Sequence, residues 1–394
     1  MTVAGEDERR TYTTQWDKIP SRLPKPLSEA GFSFFSLCPA DNALARTRYL
    51  ERHFPLQDVQ SSRHVEARLA TALRACQPRL IVPGDERTVA LLHDIVRQTG
   101  EGGGARLTAA ERATVLASLA PLDRLDAMLM KSDTLDLAVS AGVRVPARMT
   151  VDSPEAAVRA AEAIGFPVYL KTSFSWAGRG VTCCHDAAEV QQAMAAAQSP
   201  AGGRLRRGLK GLLGRAWYPT ESEIDVQQAI EGEPAMYCAV AVAGRMVGGF
   251  AGVARQTTSS TGPSSVVWVG PHEAMARASA AMIAALGATG FIGFDFMIEP
   301  ATGEAYLLEC NPRPIQVCHL GGHIGANLCE ALRDGLASAD SPVAAPSAEA
   351  TVPLFPQEWL RDPLAMTAIG ATVDVPWDDP GLLAAMVGAA KAAA

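Results

Sequence analysis

The sequence predicts an α/β region followed by an α+β region, and three observations carry that prediction. From residue 31, apolar strand-like runs alternate with helix-period segments, as in a parallel sheet with helices on its faces. From residue 116, short strands are joined through glycine-containing loops and a hairpin turn. At 394 residues the chain is long enough for two or three lobes with real cores.

The elements follow in order. Residues 1–30 read as irregular, because Pro20, Pro24 and Pro26 break any periodicity. Within 31–115, FSFFSLCP reads as a buried strand, NALARTRYLERHF as a helix and VEARLATALRAC as a second helix. RLIVPGDE then reads as a second strand and ERTVALLHDIVRQT as a third helix. The glycines of GEGGGA, 100–105, follow a helix rather than a strand and read as a linker.

The region 116–338 begins in helical text, which runs from 109 to 141 and stops at Gly142. RMTV is a short strand, and Ser153 with Pro154 supplies an N-cap and first-turn proline for a helix to Ile164. FPVYLKTSFSWAGRGVTCC reads as strand, glycine loop and strand, AAEVQQAMAAA as a helix, and EIDVQQAI as a strand. Two strands flank Arg245, SSVVWVG adds another, and HEAMARASAAMIAALG and ANLCEALRDGLA are helices. Residues 339–394 are rich in Pro and Ala and end in the helix-prone GLLAAMVGAAKAAA.

Composition narrows the function classes. A formal charge of −7 argues against a nucleic-acid binder that relies on bulk charge. The charged start MTVAGEDERR has no apolar core behind it, so no secretory signal is visible. The most membrane-like window, 235–254, is split at Arg245 into two strand-length pieces and reads as a β-hairpin. Eight scattered cysteines without a CxxC pair fit neither a zinc nor a disulfide framework, so a reduced, cytoplasmic protein is expected.

The stretch GFDFMIEPATGEAYLLECNPRP, 293–314, carries the first chemistry. Two apolar strands joined by PATGE form a hairpin, and pairing Glu299 with Ala305 puts Asp295 opposite Glu309 and Gly293 opposite Asn311. Flanking Phe294, Phe296, Leu308 and Cys310 imply burial, which makes two facing carboxylates costly. A divalent cation would turn that repulsion into attraction, and two carboxylates plus the Asn311 amide suit Mg²⁺ or Mn²⁺. A solvated acidic pair at a strand end is the competing reading.

Lys171 ends the apolar run 167–170, so its ammonium emerges at the mouth of a sheet. The loop after it brings backbone N–H groups at Gly178 and Gly180 within reach of an anion, and Lys131 follows the helical DAMLM. A bare hairpin turn explains the glycines equally well, but the lysines and the acidic pair favour phosphate.

Taken in order, Lys131, FPVYLKTSFSWAGRGV, VQQAIEGEP and GFDFMIEPATGEAYLLECNPRP resemble the ATP-grasp superfamily. The likeness is strongest to carboxylate–amine ligases and carbamoyl-phosphate-synthetase-like members. It covers about residues 120–336, and its tail, D-x(13)-E-x-N-P-R, is specific. The resemblance implies a Rossmann-like pre-ATP-grasp domain at 31–115 and a two-lobed ATP-grasp core at 116–338, with a lid lobe at about 165–230. It implies that Lys131 and Lys171 contact ATP phosphates under a loop holding Gly178, Arg179 and Gly180. Gln228, Ala229 and Ile230 would form the adenine-side hinge, with Glu233 toward the ribose. Asp295, Glu309 and Asn311 would hold Mg²⁺ (or Mn²⁺), and Arg313 would stabilise the transferred phosphoryl group or a bound carboxylate. Two departures stand out: Gln227-Gln228 where many relatives carry glutamate, and a proline-broken start where a strand with a glycine turn is usual.

The implied reaction converts a small-molecule carboxylate to an acylphosphate and joins it to an amine, with no nucleic acid or membrane partner. Dimers are common among similar proteins, so a homodimer is an expectation. An ATP-grasp phosphotransferase acting on a hydroxyl needs the same residues, and a non-catalytic nucleotide-binding scaffold is the alternative from another class. Arg255 is either a substrate or γ-phosphate contact or a solvated strand-end charge. His319 and His323 read as structural ahead of general bases, and Cys310 and Cys318 as packing residues. GGRLRRGLKGLLGRAWY, 202–218, has five basic residues and no acid, and reads as a solvated insertion ahead of a docking patch.

Overall fold

A computed structural model describes residues 19–98, 107–172, 181–198, 224–258, 263–368 and 374–393. The 100–105 linker, the loop holding Gly178, Arg179 and Gly180, and the basic 202–218 segment lie outside these residues.

Three sheets organise the described residues. β1 (Phe35–Cys38) and β2 (Arg52–Pro55) form a parallel pair. β3 (Arg148–Val151), β4 (Val168–Thr172), β5 (Val181–Cys184) and β6 (Ile224–Gln228) form an antiparallel sheet in the order β3-β6-β4-β5. The largest sheet takes β7 (Glu233–Val242), β8 (Arg245–Thr257), β9 (Ser264–Gly270), β10 (Gly290–Ile298), β11 (Ala305–Asn311) and β12 (Ala350–Pro353). Its order is β11-β10-β7-β8-β9-β12, antiparallel throughout.

Local chemistry sets many boundaries. Thr108 and Glu111 make a capping box for the Ala109–Ala117 helix, and Ser153 caps the helix that Pro154 opens. The Glu273–Leu286 helix starts on a His272 cap and stops at Gly287 in the left-handed conformation. The 235–254 window is the β7–β8 hairpin, turned at Ala243 and Gly244 with φ of 49° and 79°. Among the described residues no helix is long and apolar enough to cross a membrane.

The large sheet is buried on both faces. Met282, Ile283 and Leu286 cover one, together with the helices of the first region, and Leu328 and Leu332 cover the other. The four-stranded sheet is two-sided in character. Val168, Leu170, Ile224 and Val226 pack on the Pro154–Ile164 and Ala187–Gln198 helices, leaving the other face to polar side chains.

Three expectations are corrected. NALARTRYLERHF is a single 3₁₀ turn, Ala43–Arg46, followed by β2, not a helix. There the Thr47 hydroxyl and the Arg48 N–H both donate to Asp379 in the C-terminal region, and this distant partner overrides helix propensity. RLIVPGDE forms no strand: Ile81 N–H donates to the Ser118 hydroxyl at 2.9 Å, while Leu80 and Val82 pack on a core without a ladder. The 1–30 segment, expected to be irregular, holds a short helix, Pro24–Glu29, which its first-turn proline opens rather than breaks. The missed strand is β12, which extends the large sheet from the Pro/Ala-rich stretch.

Candidate nucleotide site

The hairpin of β10 and β11 places the acidic pair. Asp295 stands opposite Glu309 and Gly293 opposite Asn311, while Phe294 and Phe296 are buried in the core. At the turn end the register differs from expectation: Ala305 faces Ile298, not Glu299. The extra residue, Leu308, makes a bulge beside Glu309. Asn311 is buried and donates its amide to Asp295 Oδ2 at 3.0 Å.

Lys131 opens the Lys131–Ser140 helix, and its Nζ lies 3.3 Å from Glu309 Oε2. Burial, followed by repulsion from Glu309, pushes the Asp295 carboxyl up to about 6. Lys171 moves the opposite way, down to about 8, through burial and then Lys131, opposed by Glu309, Asp225 and Asp295. Two lysines and two carboxylates from separate sheets and a helix therefore form one electrostatic cluster.

The donor set fits a hard cation that completes its shell elsewhere. Among the described residues no group of three His, Cys, Asp or Glu could hold a metal, so Asp295, Glu309 and Asn311 offer two carboxylates and an amide only. Mg²⁺ suits such a partial site, since it keeps waters and takes phosphate oxygens beside one or two carboxylates. The raised Asp295 carboxyl is the matching observation, for a cation would relieve the repulsion that raises it.

Arg313 leaves the hairpin and pairs with Glu86, the first residue of the Glu86–Gln98 helix. It also donates to Pro314 O at 3.0 Å and reaches Asn311 Oδ1 at 3.4 Å. Burial works to raise the Glu86 carboxyl, but the Arg313 charge and hydrogen bond, with smaller help from the helix backbone and Lys131, together hold the group below its usual range. Sequence reasoning missed Glu86, because an acid in a first helical turn reads as an ordinary dipole partner.

The residues expected at the hinge begin with Gln228, the last residue of β6. Gln228 N–H donates to Ala147 O at 2.8 Å, its side-chain oxygen accepts from Ala147 N–H at 3.3 Å, and Ala229 N–H donates to Pro167 O at 3.3 Å. Ile230 follows, half-buried. Glu233 and Arg255 pair with each other at 2.6 Å, with Arg255 over the Trp268 ring. His319 is half-buried and bonded through Nε2 to Asp374 at 2.9 Å, a structural arrangement, whereas His323 is exposed. Cys310 and Cys318 are buried, and burial pushes the Cys310 thiol far up, away from nucleophilic use.

Residues 131–320 match the family model of the carbamoyl-phosphate synthase L chain ATP-binding domain. The large chain of carbamoyl phosphate synthase (N-terminal section) from Aquifex aeolicus is 29% identical over 177 residues, 44% of this chain and 30% of that protein. A putative urea carboxylase from Emericella nidulans is 27% identical over 205 residues, 50% of this chain and 16% of that one. The chain thus spans less than a third of the length of these curated relatives.

Among solved structures, the biotin carboxylase domain of Hydrogenobacter thermophilus 2-oxoglutarate carboxylase, held with MgADP, ADP and bicarbonate, superposes with a TM-score of 0.59 at 17% identity. That match covers 85% of this chain and 71% of that one. Carboxyaminoimidazole ribonucleotide synthase from Aspergillus clavatus, complexed with ATP, also gives 0.59, at 11% identity, over 84% and 78% of the two chains. At such identities the likeness speaks for the fold.

Proposed function

We propose that the protein is an ATP-dependent ligase that activates a small-molecule carboxylate as an acylphosphate and joins it to an amine. The observation that carries this reading is the clustering of Lys131 and Lys171 with Asp295 and Glu309 inside the matched ATP-binding domain. Lys131 and Lys171 hold the phosphates, and Asp295, Glu309 and Asn311 hold the cation. Mg²⁺ (or Mn²⁺) held by these residues would neutralise the phosphate charge.

Arg313 orients the carboxylate against the γ-phosphorus. A carboxylate oxygen forms the new P–O bond, and ADP leaves with the electron pair of the broken one. The amine nitrogen then attacks the acyl carbon, the C–O bond to phosphate breaks, and phosphate departs. The core at 116–338 is proposed as two-lobed. Its lid lobe, about 165–230 with Gly178, Arg179 and Gly180, excludes water from the intermediate. Gln228, Ala229 and Ile230 line the adenine side, Glu233 faces the ribose, and Arg255 contacts the γ-phosphate or an acidic substrate. Residues 31–115 are the pre-ATP-grasp domain, and a cytoplasmic homodimer is the proposed state. Bicarbonate belongs among the candidate carboxylates, because it accompanies the Hydrogenobacter domain.

The test is phosphate release from Mg-ATP across a panel of carboxylates, bicarbonate included, and amines, with mass spectrometry of products. Release that needs both partners, yields an amide and falls by about 100-fold or more in Glu309→Ala is expected. A stable phosphoester formed without an amine moves the assignment to a kinase. Failure to bind Mg-ATP sinks the nucleotide reading altogether.

A further inference from the structure

The polar face of the four-stranded sheet carries two cross-strand rows. Lys171, Asp225 and Thr150 lie side by side on β4, β6 and β3, and Tyr169, Gln227 and Arg148 form the neighbouring row. Asp225 is buried and accepts from the Thr150 hydroxyl at 2.6 Å and from Arg148 at 2.9 Å. The Arg148 guanidinium is nearly buried too, with a side-chain exposure of 9%. Its other terminal nitrogen donates to Ser132 O at 2.9 Å and pairs with Asp136, both on the helix that Lys131 opens. One side chain thus joins the strand neighbour of Lys171 to the chain neighbour of Lys131.

We propose that Arg148 is a positioning residue that sets the spacing of Lys131 and Lys171 toward one polyphosphate ligand, with Asp225 and Thr150 as its anchor. This rests on the nucleotide reading above. Both lysines carry like charge, so in the empty site they tend to separate, and flexible stems alone would not hold them together. A guanidinium does so because its planar fork bonds a carboxylate on one side and a carbonyl on the other without rotating. A lysine at 148 presents a single ammonium on a flexible stem and cannot span both sides in fixed geometry.

The experiment measures Mg-ADP affinity by calorimetry for wild type, Arg148→Lys and Thr150→Val, each also in a Lys171→Met background. Arg148→Lys should weaken Mg-ADP by about tenfold in the native background and by less than about twofold where Lys171 is gone. Thr150→Val deletes only the hydroxyl that braces Asp225, keeps the shape, and should weaken binding by about threefold with the same dependence on Lys171. A merely structural arginine would lower affinity equally in both backgrounds, and that result overturns the proposal, as does unchanged affinity. If Arg148→Lys does not fold, Thr150→Val alone decides. Wild type that binds no Mg-ADP removes the nucleotide reading itself, a different failure from variants that bind as wild type does.

Discussion

Arg313, two residues beyond Asn311, pairs with Glu86 from a helix more than two hundred positions earlier in the chain. Both side chains are about one-fifth exposed, so each loses much of its hydration and depends on the other. Arg313→Met should therefore cost about 3 kcal/mol of stability by leaving the Glu86 charge uncompensated. Glu86→Gln in the same chain should recover most of that loss, and denaturant melts of the three variants check it. Turnover should stay low in the double variant, because Arg313 is still missing.

Asp295 predicts a pH dependence of definite sign. Its carboxyl is raised to about 6, so between about pH 4 and 6 the fold keeps a proton that the unfolded chain has released. Stability of the ligand-free protein consequently falls as pH rises through that window, by up to about 3 kcal/mol. Asp295→Asn should melt higher than wild type at pH 8, and the gain should shrink as pH is lowered toward 5. Saturating Mg-ATP should reverse the order at pH 8. An equal gain at both pH values would show that no such cost exists.

Gly293 faces Asn311 and has no room for a side chain, since an added Cβ would lie 2.3 Å from Ile315 Cγ2. Gly293→Ala should cost about 1–3 kcal/mol through overpacking next to the proposed metal residues. Combining it with Ile315→Ala should restore much of the stability. Thermal melts of the single and double variants test this.

His93 predicts an acid sensitivity distant from any chemistry. Among the described residues neither of its ring nitrogens has a hydrogen-bond partner, and burial, helped by Arg97, pushes the imidazole down to about 3. The unfolded chain takes up a proton near pH 6.5 while the fold does not, so stability is lost as pH falls from there. His93→Leu should be about 2 kcal/mol more stable than wild type at pH 5, with a smaller gain at pH 7.5. Urea midpoints at the two values decide it.

The site was legible where charge interrupts apolar text. Asp295, Glu309, Lys131 and Lys171 stand out because nothing about a buried strand or helix asks for them there. Glu86, Arg148 and Asp225 were hidden because each occupies a place where charge is ordinary, a first helical turn or a short half-polar strand. Two of the errors in the fold share one cause. Thr47 and Arg48 abandon a helix for Asp379, and β12 finds β9 across a long stretch of chain, partners that local periodicity cannot register.

The bulge at Leu308 bears on how this hairpin can change over evolutionary time. A one-residue slip in a regular ladder would turn Glu309 and Asn311 to the opposite face. Here the odd residue is absorbed beside the acidic pair, so the turn-proximal half, Ile298 to Ala305, keeps its own register. Insertions and deletions around Pro300–Gly303 can then be accommodated without rotating the carboxylates. Removing Leu308 itself would transmit any such change directly to them.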